Sequence, residues 1–238
     1  MADPLYRRVL IKLSGEALMG DQPFGIAPDI ANRICTEIAS VARMGVGVGV
    51  VVGGGNYIRG AQLAETGLDR VTADHMGMMG TVMNAIALKA CFRSLDVSAE
   101  AFSALAIPEV CESFTQRAAL ESMSENAVTL FGGGVGAPFF STDTASALRA
   151  WEMGCDAILK ATQVDGIYSA DPKKDPTAER FDTLTHDEVL RRGLSVMDTA
   201  AVSLARDRQI PIVVFSIHEP GELIAVVAGN GRATTVSG

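Results

Sequence analysis

Five short stretches of this chain are apolar almost from end to end: residues 9–13, 46–52, 127–131, 157–161 and 211–217. A strand with one wet face alternates apolar and polar residues; one that does not alternate is buried on both faces. Between these stretches the period changes. After Pro28 and Asp29, the residues Ile30, Ile34, Ile38 and Val41 recur at helical spacing, and Gly45 ends the run. A methionine-rich helix is predicted after Asp74, over roughly 75–89, and another over roughly 142–153. Strands covered on both faces and separated by helices predict an α/β protein, a three-layer α/β/α sandwich around a mostly parallel sheet.

The chain has 238 residues, 48% of them hydrophobic, enough for a sizeable core in one large domain or two small ones. No linker rich in Ser, Gly or Pro divides it, and residues 165–182, polar and turn-rich, are predicted to be a long surface loop. A net charge of −8 offers no basic excess for a nucleic-acid partner. Cysteines at 35, 91, 111 and 155 form no C-x-x-C pair, which argues against a zinc site and a disulfide framework. The N-terminus lacks a secretory h-region, and residues 46–55 are too short and glycine-rich to span a bilayer. These features predict a cytoplasmic protein with no membrane association.

In sheets of this kind, ligands bind beyond the carboxyl ends of the strands. The informative residues follow the strands here: Lys12-Leu13-Ser14-Gly15, then Gly53 to Gly60, then Gly132 to Asp143, then Lys160 to Gly166. Glycine lets backbone N–H groups approach an anion closely. Two glycine loops suggest two phosphate-bearing ligands or one long one. Lys12 and Lys160 stand near the ends of apolar strands, where an ammonium calls for an anionic partner. Plainer readings exist for each item. Glycines make turns, lysines snorkel to water, and Asp74, Ser141 or Thr142 are suited to cap helices. The methionines at 76, 78, 79 and 83 suit a core or a subunit contact. The shared sheet edge favours a site. No Walker A loop occurs. A dinucleotide fingerprint matches Gly132, Gly134 and Ala137, but Pro138-Phe139-Phe140 separates it from the helix, and Asp156 precedes the next strand rather than ending it.

The segments IKLSGEAL, VVGGGNYIRG, DHMGMMGTVMNA, PFFSTDTA, ILKATQVDGIYSADP and LSVMDTAA, in this order, resemble the bacterial UMP kinase family, a branch of the amino-acid-kinase fold. The resemblance implies a single domain over 1–238, with about 1–155 mainly on the UMP side and about 156–238 mainly on the ATP side. It implies a homohexamer and transfer of the ATP γ-phosphoryl group to UMP with Mg²⁺ carried on ATP. By resemblance, Lys12, Leu13, Ser14 and Gly15 contact the ATP phosphates together with Gly55 and Arg59, and Thr162, Gln163, Tyr168 and Asp171 line the ATP site. Gly54 and Asp74 contact UMP, and Val135, Gly136, Ala137, Pro138, Phe139, Phe140, Ser141 and Thr142 wrap its base and ribose. Lys12, Arg59 and Lys160 would neutralise charge on the transferring group, with Asp143 orienting Lys12 or Lys160. The acceptor is an ionised phosphate oxygen, so no general base is needed.

The family is also linked to GTP activation through the stretch matching Gly20, Asp21, Gln22, Pro23, Phe24 and Gly25, and to UTP inhibition. Two departures stand out. Val135-Gly136-Ala137 replaces a Thr-Gly-Asn, shifting uracil recognition towards backbone. Glu100 and Ala127 stand where arginines are expected beside Lys89 and Arg93, which counts against GTP activation. Two other functions fit the same fold: a carboxylate (amino-acid) kinase, and a non-enzymatic nucleotide-binding protein.

Overall fold

The computed structural model describes residues 3–58, 67–172 and 174–238. Its centre is a nine-stranded sheet. Strands β1 (Arg8–Leu13), β2 (Gly47–Val52), β3 (Ala99–Ser103), β4 (Glu112–Ser113), β5 (Val128–Gly132), β6 (Ala157–Thr162), β9 (Thr183–Leu184), β10 (Ile212–Ser216) and β11 (Ala233–Val236) lie in the order β4-β3-β5-β2-β1-β6-β10-β11-β9. Neighbours are parallel except β10 and β11. The chain reverses its direction of travel across the sheet at β1. Strands on the β2 side come from before residue 133, and those on the β6 side from after residue 156. Such a switch point opens a crevice at the carboxyl ends of the strands.

Helices cover both faces. On one lie α1 (Pro28–Arg43) and α2 (Arg70–Ser94), and on the other α3 (Gln116–Ser124), α4 (Thr142–Glu152) and α6 (Thr199–Asp207); α5 (His186–Arg192) and α7 (Glu222–Val227) complete the set. The period-two strand rule divides the core. Val9, Ile11 and Leu13 of β1 pack with Ile34, Ile38, Leu88 and Phe92, whereas Leu10 packs with Ala145, Ala147 and Ile158. Lys12 shares the parity of Leu10 and so faces the α4 side. Ile34, Ile38 and Val41 form the buried stripe of α1, and each buried side chain of this size contributes about 1.5–3 kcal/mol.

The predicted sandwich and its five long apolar strands are present, with four corrections. Ala99–Ser103 is a strand that the sequence did not announce, because Glu100 interrupts it; the Glu100 carboxylate accepts from Ala101 N and pairs with Lys89. The strands β4, β9 and β11 are short and lie near or at the sheet edge. Residues 165–182 are not loop throughout, since β7 (Ile167–Tyr168) and β8 (Arg180–Phe181) pair as an antiparallel ribbon. The methionine-rich helix begins at Arg70, and its cap is Asp69, whose carboxylate accepts from Thr72 N at 3.1 Å. Asp74 is therefore not a cap. No described helix is long and apolar enough to cross a membrane.

Candidate active site

Lys12 and Lys160 are register partners on the adjacent parallel strands β1 and β6. In that register their side chains leave the same face of the sheet, about 4.8 Å apart. Both are largely buried, so two ammonium groups share a poorly solvated space. Such a pair repels unless an anion stands between its members. That anion is Asp143: Lys12 Nζ lies 2.8 Å from its Oδ1, and Lys160 Nζ 2.9 Å from its Oδ2. The sequence reading gave Asp143 one lysine or the other; the structure gives it both.

Local rules place that carboxylate. Ser141, itself in extended backbone, caps α4, its hydroxyl oxygen accepting from Asp143 N at 3.0 Å and Thr144 N at 3.2 Å. Asp143 then sits in the first helical turn, where negative charge is favoured. Burial pushes its carboxyl up, but attraction to Lys12 and Lys160 outweighs this and holds it below the usual carboxylate range. Lys160 is shifted down, chiefly by burial; Asp143 opposes that shift and Lys12 adds to it. The Lys160 ammonium also donates to the Val196 carbonyl.

Two cavities flank the bridge. The larger, about 680 Å³, is lined by Lys160, Thr162, Tyr168 and Asp171 of the expected ATP residues. Arg192, Leu194 and Val196, which the sequence did not single out, line it too. Gln163 departs from expectation, lining a neighbouring cleft with Asp165 and Arg232. The smaller cavity, about 320 Å³, lies against Gly54, Gly55, Asp74, Met78, Thr81, Gly134, Phe140, Ser141 and Thr142. Lys160 thus faces one cavity, while Ser141 and Thr142, beside Asp143 in the chain, face the other.

The glycine loops are built by close approach. A Cβ on Gly54 would meet the Gly77 carbonyl oxygen of α2 at 2.5 Å, and one on Gly15 would meet Gly53 O at 2.6 Å and Gly55 N at 2.8 Å. Ser14 caps a 3-10 turn over Gly15–Leu18, its hydroxyl accepting from Ala17 N. Beneath the second loop lie Asn56 and Asn84, which exchange amide hydrogen bonds at 2.7 and 2.9 Å. Asn84 also donates to Gly53 O, and Asn56 to Gly25 O. The backbone of Gly25 is thereby joined to the glycine loop, while Gly20, Asp21, Gln22, Pro23 and Phe24 lie exposed before it.

Asp74 faces the smaller cavity, accepts from Phe139 N at 2.7 Å and pairs with Arg70 at 2.8 Å. That bond helps hold Phe139 at φ 73°, an unusual backbone state for a residue with a Cβ. Of the segment expected to wrap the base, Phe140, Ser141 and Thr142 line the cavity. Val135 instead packs against the core cluster on the α4 side of the sheet, Gly136 lies exposed over Ala104, and Ala137, Pro138 and Phe139 are outside the lining. Arg59 lies outside the described residues. Sequence reasoning also missed Asp198, which caps α6 and accepts from Thr144 Oγ1 at 3.0 Å. Its motif LSVMDTAA was visible, but the contact across to α4 was not.

The chain matches the Amino acid kinase family over residues 7–216. It is 61% identical to the uridylate kinase of Agrobacterium fabrum, covering 98% of this chain and 97% of that protein. It is also 61% identical to the uridylate kinase of Rhizobium meliloti, over 99% and 98% of the two chains. The crystal structure of UMP kinase from Bacillus anthracis superposes with a TM-score of 0.94 at 37% identity, over 98% of this chain and 96% of that one. UMP kinase from Ureaplasma parvum gives 0.93 at 32% identity, over 98% and 99%. With two lysines joined by one carboxylate at the switch point of a parallel sheet, and with relatives that match it from end to end, this chain belongs to the amino acid kinase family, in its uridylate kinase branch.

Proposed function

We propose that this protein is a UMP kinase, transferring the γ-phosphoryl group of ATP to the phosphate of UMP to give ADP and UDP in pyrimidine nucleotide synthesis. The observation that carries the mechanism is the Lys12–Asp143–Lys160 bridge between two cavities. ATP occupies the larger cavity, in the half of the chain after about residue 155. UMP occupies the smaller one, in the half before it. Phosphoryl transfer of this kind needs in-line positioning and neutralisation of negative charge. Lys12 and Lys160 supply the charge, and Asp143 holds the two ammoniums side by side against their repulsion. Ser14 and Gly15, Gly54 and Gly55, and Arg59 form the phosphate contacts. Asp74 holds the nucleoside side of UMP.

Mg²⁺ arrives on the ATP phosphates and offsets their charge. We place the ion on the nucleotide phosphates, with both Asp143 oxygens engaged by lysines. For the homohexamer we place a subunit contact on α2, where Met76, Met79 and Met83 are 36%, 43% and 46% exposed along one helical stripe. We place the enzyme in the cytoplasm. UTP is its feedback inhibitor. GTP activation is weak or absent, because Glu100 occupies Lys89 in an ion pair.

A coupled ADP-release assay tests this reading. Turnover is expected with UMP, and not with CMP or amino acids. Release with an amino acid but not UMP would make the protein a carboxylate kinase, and no release with any acceptor would make it a binder. Adding GTP or UTP to the same assay tests the effectors, and light scattering gives the oligomer mass.

A further inference from the structure

One carboxylate serves two helix N-termini. Asp198 caps α6, its Oδ1 accepting from Ala201 N at 2.9 Å. A cap needs no more than that. Yet Thr144 Oγ1 of α4 lies 3.0 and 3.1 Å from the two oxygens of Asp198, and the Ser141 hydroxyl donates to its Oδ2. A serine hydroxyl has one hydrogen. Spending it on Asp198 leaves the oxygen lone pairs turned towards Asp143 N and Thr144 N, the two donors Ser141 caps. Two residues before Asp198, the Val196 carbonyl accepts from the Lys160 ammonium. Both ends of the bridge therefore lead to the 196–198 segment: Asp143 through Ser141 and Thr144, and Lys160 directly.

We propose that Asp198 is a positioning residue for phosphoryl transfer, docking the start of α4 onto the segment that holds Lys160 and so fixing the Lys12–Asp143–Lys160 bridge. The proposal rests on the kinase reading above. It also has an electrostatic consequence. The charged groups around Lys160 are Lys12 from β1, Asp143 from α4 and Asp198 at the α6 cap, with Asp171 and Arg192 across the larger cavity. Burial lowers the Lys160 pKa; Asp143 and Asp198 oppose this, and Lys12 reinforces it. Removing the Asp198 charge lowers it further.

The test uses the full chain and two variants. Asp198→Asn keeps a good helix cap and loses the charge. Thr144→Val removes one hydroxyl and leaves the α6 cap intact, so it carries the test should Asp198→Asn not fold. The kcat for UMP should fall about tenfold in Asp198→Asn and about threefold in Thr144→Val, with KM for both nucleotides little changed. The double variant should lose less than the product of the two, because both break one linkage. The alkaline limb of kcat should move to lower pH in Asp198→Asn. A ¹³C NMR titration of labelled lysines, with Lys160 assigned from a Lys160→Arg sample, should show its midpoint displaced to lower pH. Parental kcat with an unmoved Lys160 midpoint, or losses confined to KM, would reduce Asp198 to a helix cap. The titration needs no substrate. A parent protein that fails to turn over UMP therefore refutes the kinase reading alone, while the Lys160 midpoint still decides the role of Asp198.

Discussion

Lys12 has little access to water and one ion-pair partner among the described residues, Asp143. On the proposed mechanism Lys12→Ala removes a cation from the transferring group, and it leaves Asp143 to Lys160 alone. We expect kcat to fall about a hundredfold, near 3 kcal/mol of barrier, with UMP affinity much less affected. Steady-state kinetics on a variant shown to melt normally checks this, and a kcat near the parent's would remove Lys12 from the mechanism. Asp74 gives a contrasting case. Since Asp69 is the cap of α2, changing Asp74 does not uncap that helix. On the proposed reading, in which the Asp74 carboxylate also accepts from the ribose hydroxyls of UMP, Asp74→Asn should raise KM for UMP about tenfold or more and leave kcat within about threefold, because the group that accepts from Phe139 N is replaced by a weaker acceptor. An unchanged KM would place the ribose elsewhere.

The elements meet through glycine. The second glycine loop rests directly on α2, and no Cβ fits between Gly54 and the Gly77 carbonyl. Gly54→Ala must push the loop off the helix, and we expect a loss of about 1–3 kcal/mol, read as a lower Tm. Gly77→Ala, on the helix itself, meets nothing within 4 Å. There the ordinary helix preference for alanine should act, giving a gain of about 0.5–1 kcal/mol. Opposite signs at two glycines in van der Waals reach of each other would separate close approach from backbone freedom. Equal losses would show that the space around Gly77 is needed too.

Across the whole molecule, pH acts on the bridge at both ends. The folded pKa of Asp143 is depressed, so the stability it contributes is present above the ordinary aspartate pKa and is lost as pH falls through the lower folded value. Lys160 has the opposite linkage. Its folded pKa lies below that of a free lysine, so between those values the unfolded chain binds more protons and stability rises with pH. Activity should move the other way, falling in that same alkaline window as Lys160 loses its charge. Measuring Tm and kcat over one alkaline pH series checks the pairing. A fall in Tm that tracks the fall in kcat would assign the loss of activity to unfolding.

Much of this was legible in the residues. The nearly continuous apolar runs announced a buried parallel sheet, because strands that avoid water on both faces leave no alternation to read. The bare segments after the strands marked the ligand edge, since glycine clusters and strand-end lysines are each tolerable alone and informative together. Ala99–Ser103 was not legible, because Glu100 meets its partner Lys89 eleven residues back on another element. Nor was the placement of Val135, in a loop expected to face the nucleotide but packed against the core. The lysine pair is the clearest division. Sequence placed Lys12 and Lys160 near the ends of two strands; only the register of β1 against β6 set them side by side, and only the docking of α4 brought Asp143 between them. Local pattern decides which residues form strands and helices, because periodicity is written within one element. Which charge meets which is decided by packing between elements far apart in the chain, and no short-range rule contains that information.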